Sequence, residues 1–579
     1  MKLKIAISAV AILLFTQSDA QFWKKEKSDT TKEATKDAPK EENKKGAGGF
    51  FQKAMSKITK LAGNLSGELG GSVAVADNLS EVDVLASVGT NIFPKDLGLA
   101  TTDFLKGEWI DNGDFTMLML SSPNGFQFYK YGGVIKLNGK ELKHQSFGIH
   151  TIVEAAGSGN KKISFEKNGV EEGSFTVPPP TKNIKLLSIN GQSSNVSIDL
   201  TKDVVLELAN YSTGPDALIR VDIVTSVIGM RSLTMAAYVK PAAKITIPAA
   251  AFRNLETENK GTSFKNSYLM VSDQQLVNSV AQTGIFKTPV ISVTGSNAGM
   301  WVNVTASPEI SRGIAISEKE KINGAELEIT AKKRNAAYAM PLSFAKKIAV
   351  TTMSIQGTTY LYENNTNKWT QVETTKELKF PQIPESILQD VLANIYQKFT
   401  AVTAEVSGAS ILPENTIPST ASYELVQQFF KNEMNNSEQF LAVYKNLNPI
   451  KPLTSNSMRV NGENALLKES GADALLKVSI TLQLTWDGKP AMTPYLNVEM
   501  DGVSNGAFRS FVGNTKYFSV QVKGEPFVLK KGVNIDKDLI MQMVQTDALA
   551  AAFKKALFEI KSKEAASGDY EAVWNLQKQ

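Results

Sequence analysis

The segment Asn464–Leu484, NALLKESGADALLKVSITLQL, decides the fold of the C-terminal third of the chain. Asn464 to Ser470 has the spacing of a short helix. Gly471 is the residue type that ends helices, because glycine adopts the left-handed conformation without a Cβ clash. Asp473 to Leu484 then predicts a long strand. The segment carries no pattern of catalytic side chains, so it predicts architecture and not chemistry.

Around this segment the hydrophobic period changes from two to about 3.6 residues at Pro384, which predicts a helix there. The helices predicted after it are one capped by Ser419 and continued by Phe440, Val443 and Tyr444, and a closing helix at Leu539–Lys561. The predicted strands are Thr403–Ile411, Tyr495–Met500 and Tyr517–Val522. A hairpin turn is predicted at Trp486–Lys489. Together they predict an α/β (α+β) sandwich domain at 384–562, with helices on a mostly antiparallel sheet, followed by a tail at 563–579.

This C-terminal region resembles the periplasmic α/β domain of the curli-secretion lipoprotein family and its relatives in envelope assembly. The residues that carry the resemblance are Ile411-Leu412-Pro413, Tyr423 and the run from Gly471 to Leu476. The resemblance implies an envelope location. The chain differs from the family in having no cysteine to carry a lipid and no obvious pore-forming hairpin, so a channel function is not implied.

The N-terminus has the features of an exported protein. Residues 1–20 read as a signal peptide, with Lys2 and Lys4 before an apolar core and a small residue, Ala20, at the cleavage site. Cleavage would leave Gln21 first, which resembles secreted proteins of Bacteroidetes-type bacteria. Residues 21–49 are almost entirely charged or small and predict a disordered tether. Residues 50–71 predict an amphipathic helix that docks on the next domain, with an interfacial membrane helix as the alternative.

The middle of the chain predicts β-modules, which makes the whole protein multidomain and mainly β. Short strands with Asn-Gly turns at Asn138 and Asn168 predict a small β-domain at 72–180, which three prolines end at 178–180. About seven strands at 181–293 resemble an immunoglobulin-like β-sandwich, although without its Cys…Trp…Cys signature. Residues 294–383 predict a further β-rich domain.

Composition limits the chemistry available to this chain. There is no cysteine, which excludes disulfides, thiolate nucleophiles and cysteine-ligated metals, and there are only two histidines, His144 and His150. On one extended strand these two would lie about 20 Å apart, so we interpret them as surface or turn residues. The net charge of +5 and the absence of a basic aromatic face argue against a nucleic-acid partner.

Candidate catalytic groups do not stand out by spacing. The acids Asp103, Glu108 and Asp111 lie near Trp109 and are candidates for a carboxylate pair. The candidates for sugar stacking are Trp109, Trp301, Trp369 and Trp486. We interpret the acids as turn residues, the tryptophans as sheet residues, and Asp473 as a cap at the helix–strand junction. The sequence therefore predicts no catalytic residue, no cofactor-binding residue and no metal ligand.

The first functional hypothesis is an exported, non-enzymatic envelope or secreted protein that acts through protein–protein or cell-surface contacts. It places the mature chain in the periplasm, at the outer membrane or outside the cell, without a transmembrane span. The second hypothesis is a secreted protein that binds or cleaves polysaccharide. The third is a periplasmic accessory of a secretion or assembly complex.

Overall fold

The structure of this protein is a computed structural model. It describes residues 74–99, 109–121, 128–146, 148–157, 159–215, 217–227, 230–257, 261–278, 286, 290–366, 373–425, 439–450, 462–487, 489–503, 515–530 and 535–578. The fold is mainly β, with 49% strand and 20% helix, several sheets and a C-terminal helical region. The predicted signal peptide (1–20), tether (21–49) and amphipathic helix (50–71) lie outside the described residues.

The described strands before residue 310 form the first half of the fold. They are β1 (Ala74–Ala76), β2 (Asp83–Thr90), β3 (Asp114–Ser121), β4 (Tyr129–Tyr131), β5 (Val134–Leu137), β6 (Lys140–Glu141), β7 (Lys143–Ser146), β8 (Ile149–Glu154), β9 (Lys161–Lys167), β10 (Val170–Val177), β11 (Lys185–Ile189), β12 (Val196–Asp199), β13 (Val204–Ala209), β14 (Ile219–Val227), β15 (Met230–Val239), β16 (Lys244–Ile247), β17 (Ser267–Asn278) and β18 (Ile291–Ala306).

The second half adds further strands and most of the helices. The strands are β19 (Ile314–Ile322), β20 (Ala325–Lys333), β21 (Lys347–Thr358), β22 (Tyr360–Thr366), β23 (Glu373–Lys379), β24 (Ser410–Ile411), β25 (Gln439–Val443), β26 (Ala474–Asp487), β27 (Lys489–Gly502), β28 (Thr515–Lys523) and β29 (Phe527–Val528). The helices are α1 (Ala249–Arg253), α2 (Glu385–Ser407), α3 (Gly462–Ser470), α4 (Lys537–Val544), α5 (Thr546–Ser567) and α6 (Asp569–Asn575), with single 3-10 turns at Leu79–Glu81, Lys95–Leu97, Leu342–Phe344 and Ala421–Leu425.

The predicted Asn-Gly turns are confirmed. Asn138 and Gly139 have φ of 48° and 86°, and Asn168 and Gly169 have φ of 53° and 80°. Two successive residues with positive φ suit the right-handed twist of a hairpin, and asparagine and glycine tolerate that conformation best. These turns join β5 to β6 and β9 to β10.

One nine-stranded sheet, which we call the N-terminal sheet, has the order β15-β14-β17-β18-β2-β3-β8-β7, with β12 also paired to β18. The long strand β18 pairs in parallel with β2 along its first half and with β12 along its second half. A 16-residue strand spans about 54 Å, so one partner strand of ordinary length cannot cover its edge. The sheet therefore runs across the predicted divisions at 180/181 and 293/294.

The N-terminal sheet packs against two smaller sheets. The four-stranded sheet β10-β9-β5-β6 packs on β2 and β3 through a core that includes Phe165, Phe175 and Leu118. The three-stranded sheet β11-β13-β16 packs on β14, β15 and β17 through residues such as Leu206 and Val221. The apolar residues on alternate positions of each strand supply both cores.

The second nine-stranded sheet, which we call the C-terminal sheet, has the order β19-β20-β28-β27-β26-β21-β24, with β25 on β21 and β29 on β27. The quoted segment forms its centre: β26 pairs in parallel with β21 and antiparallel with β27. Strands from 294–383 thus share one sheet with strands from 384–562, and the sheet crosses the predicted division at 383/384.

Two predictions in this region are wrong. Thr403–Ile411 is not a strand, because α2 continues to Ser407 and leaves only Ser410–Ile411 extended. The hydroxyls of Thr403 and Ser407 bond to carbonyls four residues earlier, so they fit a helix despite the β-like composition. Phe440 and Val443 do not continue a helix, because they lie in β25, which pairs antiparallel with β21.

The closing helix is longer than predicted and contains a break. Gln545, with φ of 54°, separates α4 from α5, and α5 runs on to Ser567. The predicted tail at 563–579 is largely helical: α6 follows Gly568, and its Tyr570 and Trp574 are only 4% exposed. Both rings pack in the apolar core, and their polar atoms are satisfied there, because Tyr570 donates to the Arg334 carbonyl at 2.7 Å and Trp574 to the Ala336 carbonyl at 2.8 Å. No helix among the described residues is long and apolar enough to cross a membrane.

Candidate interaction face

In the segment Asn464–Leu484 the helix ends and the strand begins as predicted. Gly471 has φ of 66°, directly after α3, and β26 begins at Ala474. The Asp473 carboxylate accepts hydrogen bonds from the backbone N–H of Lys346 at 2.7 Å and of Lys347 at 2.9 Å. Asp473 therefore caps the start of the neighbouring strand β21 and not its own helix, which aligns the two parallel strands.

The C-terminal sheet has two unlike faces. Along β26 the residues at even positions from Ala474 to Leu484 are at most 3% exposed and share one core with α2, α4 and α5. The residues at odd positions from Ser479 to Thr485 lie on the other face and are half-buried or exposed. Alternate side chains of a strand point to opposite faces, so this pattern marks a sheet that the long helices α2 and α5 cover on one side.

One end of the second face is covered. Leu466 and Leu467 of α3 pack with Tyr423 and Ile417 on Leu475 in a small separate core. The Tyr423 hydroxyl donates to the Asn446 carbonyl at 2.5 Å, which holds the covering segment in place. Beyond this end no described helix lies on the face.

The centre of the open part carries polar side chains without charge. We call these residues the open face: Thr330, Gln356, Ser479, Thr481, Gln483, Tyr495, Asn497, Ser519 and Gln521. They come from five adjacent strands, which cover about 19 Å across at the usual strand spacing. Gln356 Nε2 donates to Thr481 Oγ1 at 3.1 Å, so neighbouring strands are linked by side chains. Asn497 Oδ1 is buried and has no hydrogen-bond partner within the described residues.

Charged residues surround the open face, and two lysines among them pair with carboxylates. Lys516 pairs with Glu499 at 2.5 Å. Lys477 lies between Glu463 and Asp501, with 2.6 Å to Asp501. Burial alone lowers the pKa of Lys477, but the two carboxylates outweigh it and raise the pKa above its ordinary value. Lys477 therefore stays charged and paired with the two carboxylates.

The two histidines lie where the sequence interpretation did not place them. His144 in β7 and His150 in β8 are direct cross-strand partners, with ring centroids 4.9 Å apart. The expectation of about 20 Å and a surface position is wrong, because the chain folds back at Gly148 and buries His150 to 4% exposure. No group of three or more metal-ligating side chains occurs among the described residues.

The other candidate residues hold structural contacts. Trp109 Nε1 donates to the Phe93 carbonyl at 2.9 Å, and Asp111 accepts from the backbone N–H of Lys95 at 2.7 Å. Trp301 is 42% exposed and meets the ring of Tyr268 edge-on. Trp486 is half-buried at the end of β26. Asp103, Glu108 and Trp369 lie outside the described residues.

A small cavity lies beside β2 and β18, with a volume of about 20 Å³. That volume holds about one water molecule. Its lining includes Ser87, Phe93, Gln274 and Asn297, and no acidic, basic or histidine side chain. The cavity therefore offers no acid–base chemistry.

The open face is not apparent from the sequence alone. Its residues are the polar half of strands that were recognised by their apolar half. The available signal was the alternation in SITLQL, where Ser, Thr and Gln recur between apolar residues without a charged residue. The sequence could not show that these strands become neighbours.

No protein-family model, curated protein or solved structure matches this chain.

Proposed function

We propose that this protein is an exported, non-enzymatic envelope or secreted protein that acts through contacts with other proteins or with the cell surface, and that the open face of the C-terminal sheet is its contact surface. The observation that carries the proposal is the uncharged polar centre of that face inside a charged rim that includes the pairs Lys516–Glu499 and Lys477–Asp501. Protein interfaces have a similar arrangement, with few charges at the centre and a polar rim.

The area of the open face indicates how far a partner protein must extend beyond it. A standard interface buries about 800 Å² on each side. The uncharged centre, about 19 Å across five strands and about 14 Å along them, covers about a third of that area. The partner would therefore extend over the paired rim charges Lys516–Glu499 and Lys477–Asp501.

The same proposal includes the domain organisation. We assign an immunoglobulin-like β-sandwich to the module that begins at 181, in a protein of several β-sandwich modules followed by an α/β sandwich. The assignment is supported by a three-stranded sheet, β11-β13-β16, opposite β15-β14-β17-β18, and by the parallel pairing of the short β12 with β18. Modules of this architecture usually bind or present.

A second candidate function is the binding of a neutral polysaccharide. It is favoured by the hydroxyls and amides of the open face, which match the donors and acceptors of sugar hydroxyls, and by the exposed Trp301 on the N-terminal sheet. The accessory role in a secretion or assembly complex is a special case of the first function, with the partner being that complex.

Cell fractionation combined with site-specific crosslinking tests the proposal. A photocrosslinker replaces Gln521, which is exposed on the open face, or Gln397, which is exposed on α2 of the covered side. We expect recovery in the exported fractions and a discrete crosslinked protein from position 521 only. Gln483→Arg should abolish that product, because a charge enters the neutral centre. Recovery in the cytoplasm, or equal products from both positions, would contradict the proposal.

A further inference from the structure

The hairpin that ends the N-terminal sheet contains a closely packed histidine pair. His144 in the edge strand β7 faces His150 in β8, with their rings 4.9 Å apart and tilted by 55°. His150 is 4% exposed, and its Nδ1 lies 3.3 Å from the Gly148 carbonyl oxygen. His144 is half-buried, and its Nε2 has no hydrogen-bond partner within the described residues.

The surroundings of the pair disfavour positive charge. Lys130 in β4 is the charged side chain that acts on both rings among the described residues. The residue opposite His150 on β3 is the apolar Leu118. Gln145 and Thr151 bond to each other on the other face of the hairpin. No described carboxylate therefore compensates an imidazolium at either position.

These surroundings lower the affinity of both rings for protons. Burial is the main cause that lowers the pKa of His150, to about 4, and His144 and Lys130 lower it further. Burial and Lys130 lower the pKa of His144 as well. Both rings are thus neutral at pH 7, and protonation becomes costly as the pH falls below the ordinary histidine value of about 6.5.

We propose that the His144–His150 pair is an acid-sensitive latch whose protonation releases β7 from the edge of the N-terminal sheet. The two rings can separate only if one strand moves, and β7 is the strand that is held least. It has four residues, and β8 is its one partner among the described strands, in a ladder whose register shifts directly after His144. β8 is held on its other side by six consecutive pairs with β3.

Release of β7 leaves the rest of the sheet intact and frees the outer edge of β8. Strand edges with free backbone N–H and C=O groups are places where another strand can add. The latch therefore makes the exposure of a sheet edge depend on pH. This inference does not rest on the proposed function of the open face.

Hydrogen exchange at pH 7.5 and pH 5.0 on the full chain tests the latch, after correction for the intrinsic pH dependence of exchange. With a pKa near 4 when packed and about 6.5 when released, His150 alone increases the opening equilibrium at pH 5.0 about 30-fold. We expect that increase in peptides covering 143–146, and no change in peptides covering β9 and β10. Equal protection of 143–146 at both pH values would overturn the proposal.

Two variants separate a titrating latch from a merely structural hairpin. Lys130→Glu changes an exposed residue and supplies a compensating charge, so the increase in opening at low pH should become smaller. His144→Gln removes one titrating ring and should also reduce it. Because the chain has only two histidines, nuclear magnetic resonance can follow both rings directly. Identical pH profiles for wild type and Lys130→Glu, or a histidine pair that titrates near 6.5, would refute the latch.

Discussion

Lys333 is fully buried at the junction between the C-terminal sheet and helix α5, and its replacement by methionine should strongly destabilise the protein. Its Nζ lies 2.7 Å from Glu564 Oε1 and donates to the Met340 carbonyl at 2.7 Å. The rings of Tyr517 and Tyr570 lie 5.8 and 5.2 Å away. Burial lowers the pKa of Lys333, and Glu564 partly offsets this.

The expected cost follows from what the substitution leaves behind. Lys333→Met fits the space but leaves the Glu564 carboxylate, 6% exposed, without its cation, which costs about 3–5 kcal/mol. The double variant Lys333→Met/Glu564→Met buries no charge. It still loses the hydrogen bond from Leu342 N–H to Glu564 at 3.1 Å, so about 1–2 kcal/mol should remain.

The test is urea unfolding, monitored by circular dichroism and tryptophan fluorescence. It compares the wild type, both single variants and the double variant. The reasoning requires the double variant to be more stable than Lys333→Met, with an unchanged dependence on urea concentration. Additive losses would show that the two residues do not interact. A loss below about 1 kcal/mol for Lys333→Met would show that the lysine is solvated and not buried.

Three further predictions concern other parts of the fold. Trp574→Ala should lower the free energy of unfolding, measured by thermal unfolding, by about 3–5 kcal/mol, because it leaves a cavity and removes the hydrogen bond to the Ala336 carbonyl. The control Phe558→Ala should cost under about 1 kcal/mol, because Phe558 is 42% exposed. Gly299→Ala should lower the free energy of unfolding by about 1–3 kcal/mol, because a Cβ at position 299 overlaps the ring of Tyr268. Gly159→Ala should be tolerated, because a Cβ at position 159 meets open space. Equal melting temperatures for the two variants would contradict the close contact between Gly299 and Tyr268. The free energy of unfolding should be greatest above pH 6.5 and fall by about 3 kcal/mol as the pH drops toward 4, because His150 binds a proton more weakly in the folded state than in the unfolded state. His150→Gln should lose this pH dependence of the free energy of unfolding. The same pH dependence in the variant and the wild type would contradict the prediction.

Much of the local structure could be predicted from the sequence because it depends on short-range chemistry. The helix stop at Gly471, the Asn-Gly turns at 138 and 168 and the strand after Asp473 were all predicted correctly. Each depends on backbone conformations that only a few residue types tolerate, or on the period of apolar residues along a few turns or pleats. Local composition misled only where tertiary packing decided, as in the continuation of α2 through Thr403 and Ser407.

Only the tertiary structure decided which elements share a sheet. The sequence by itself did not show that β18 pairs with β2. It also did not show that β20 pairs with β28 or that β21 pairs with β26. Such pairings depend on contacts between residues 125 to 206 positions apart, which no local period records. The open face arises for the same reason, because its side chains become neighbours only when strands far apart in the chain pair. The two histidines are six residues apart in one hairpin, and their burial and lowered pKa follow from the fold of that hairpin and its pairing with β3.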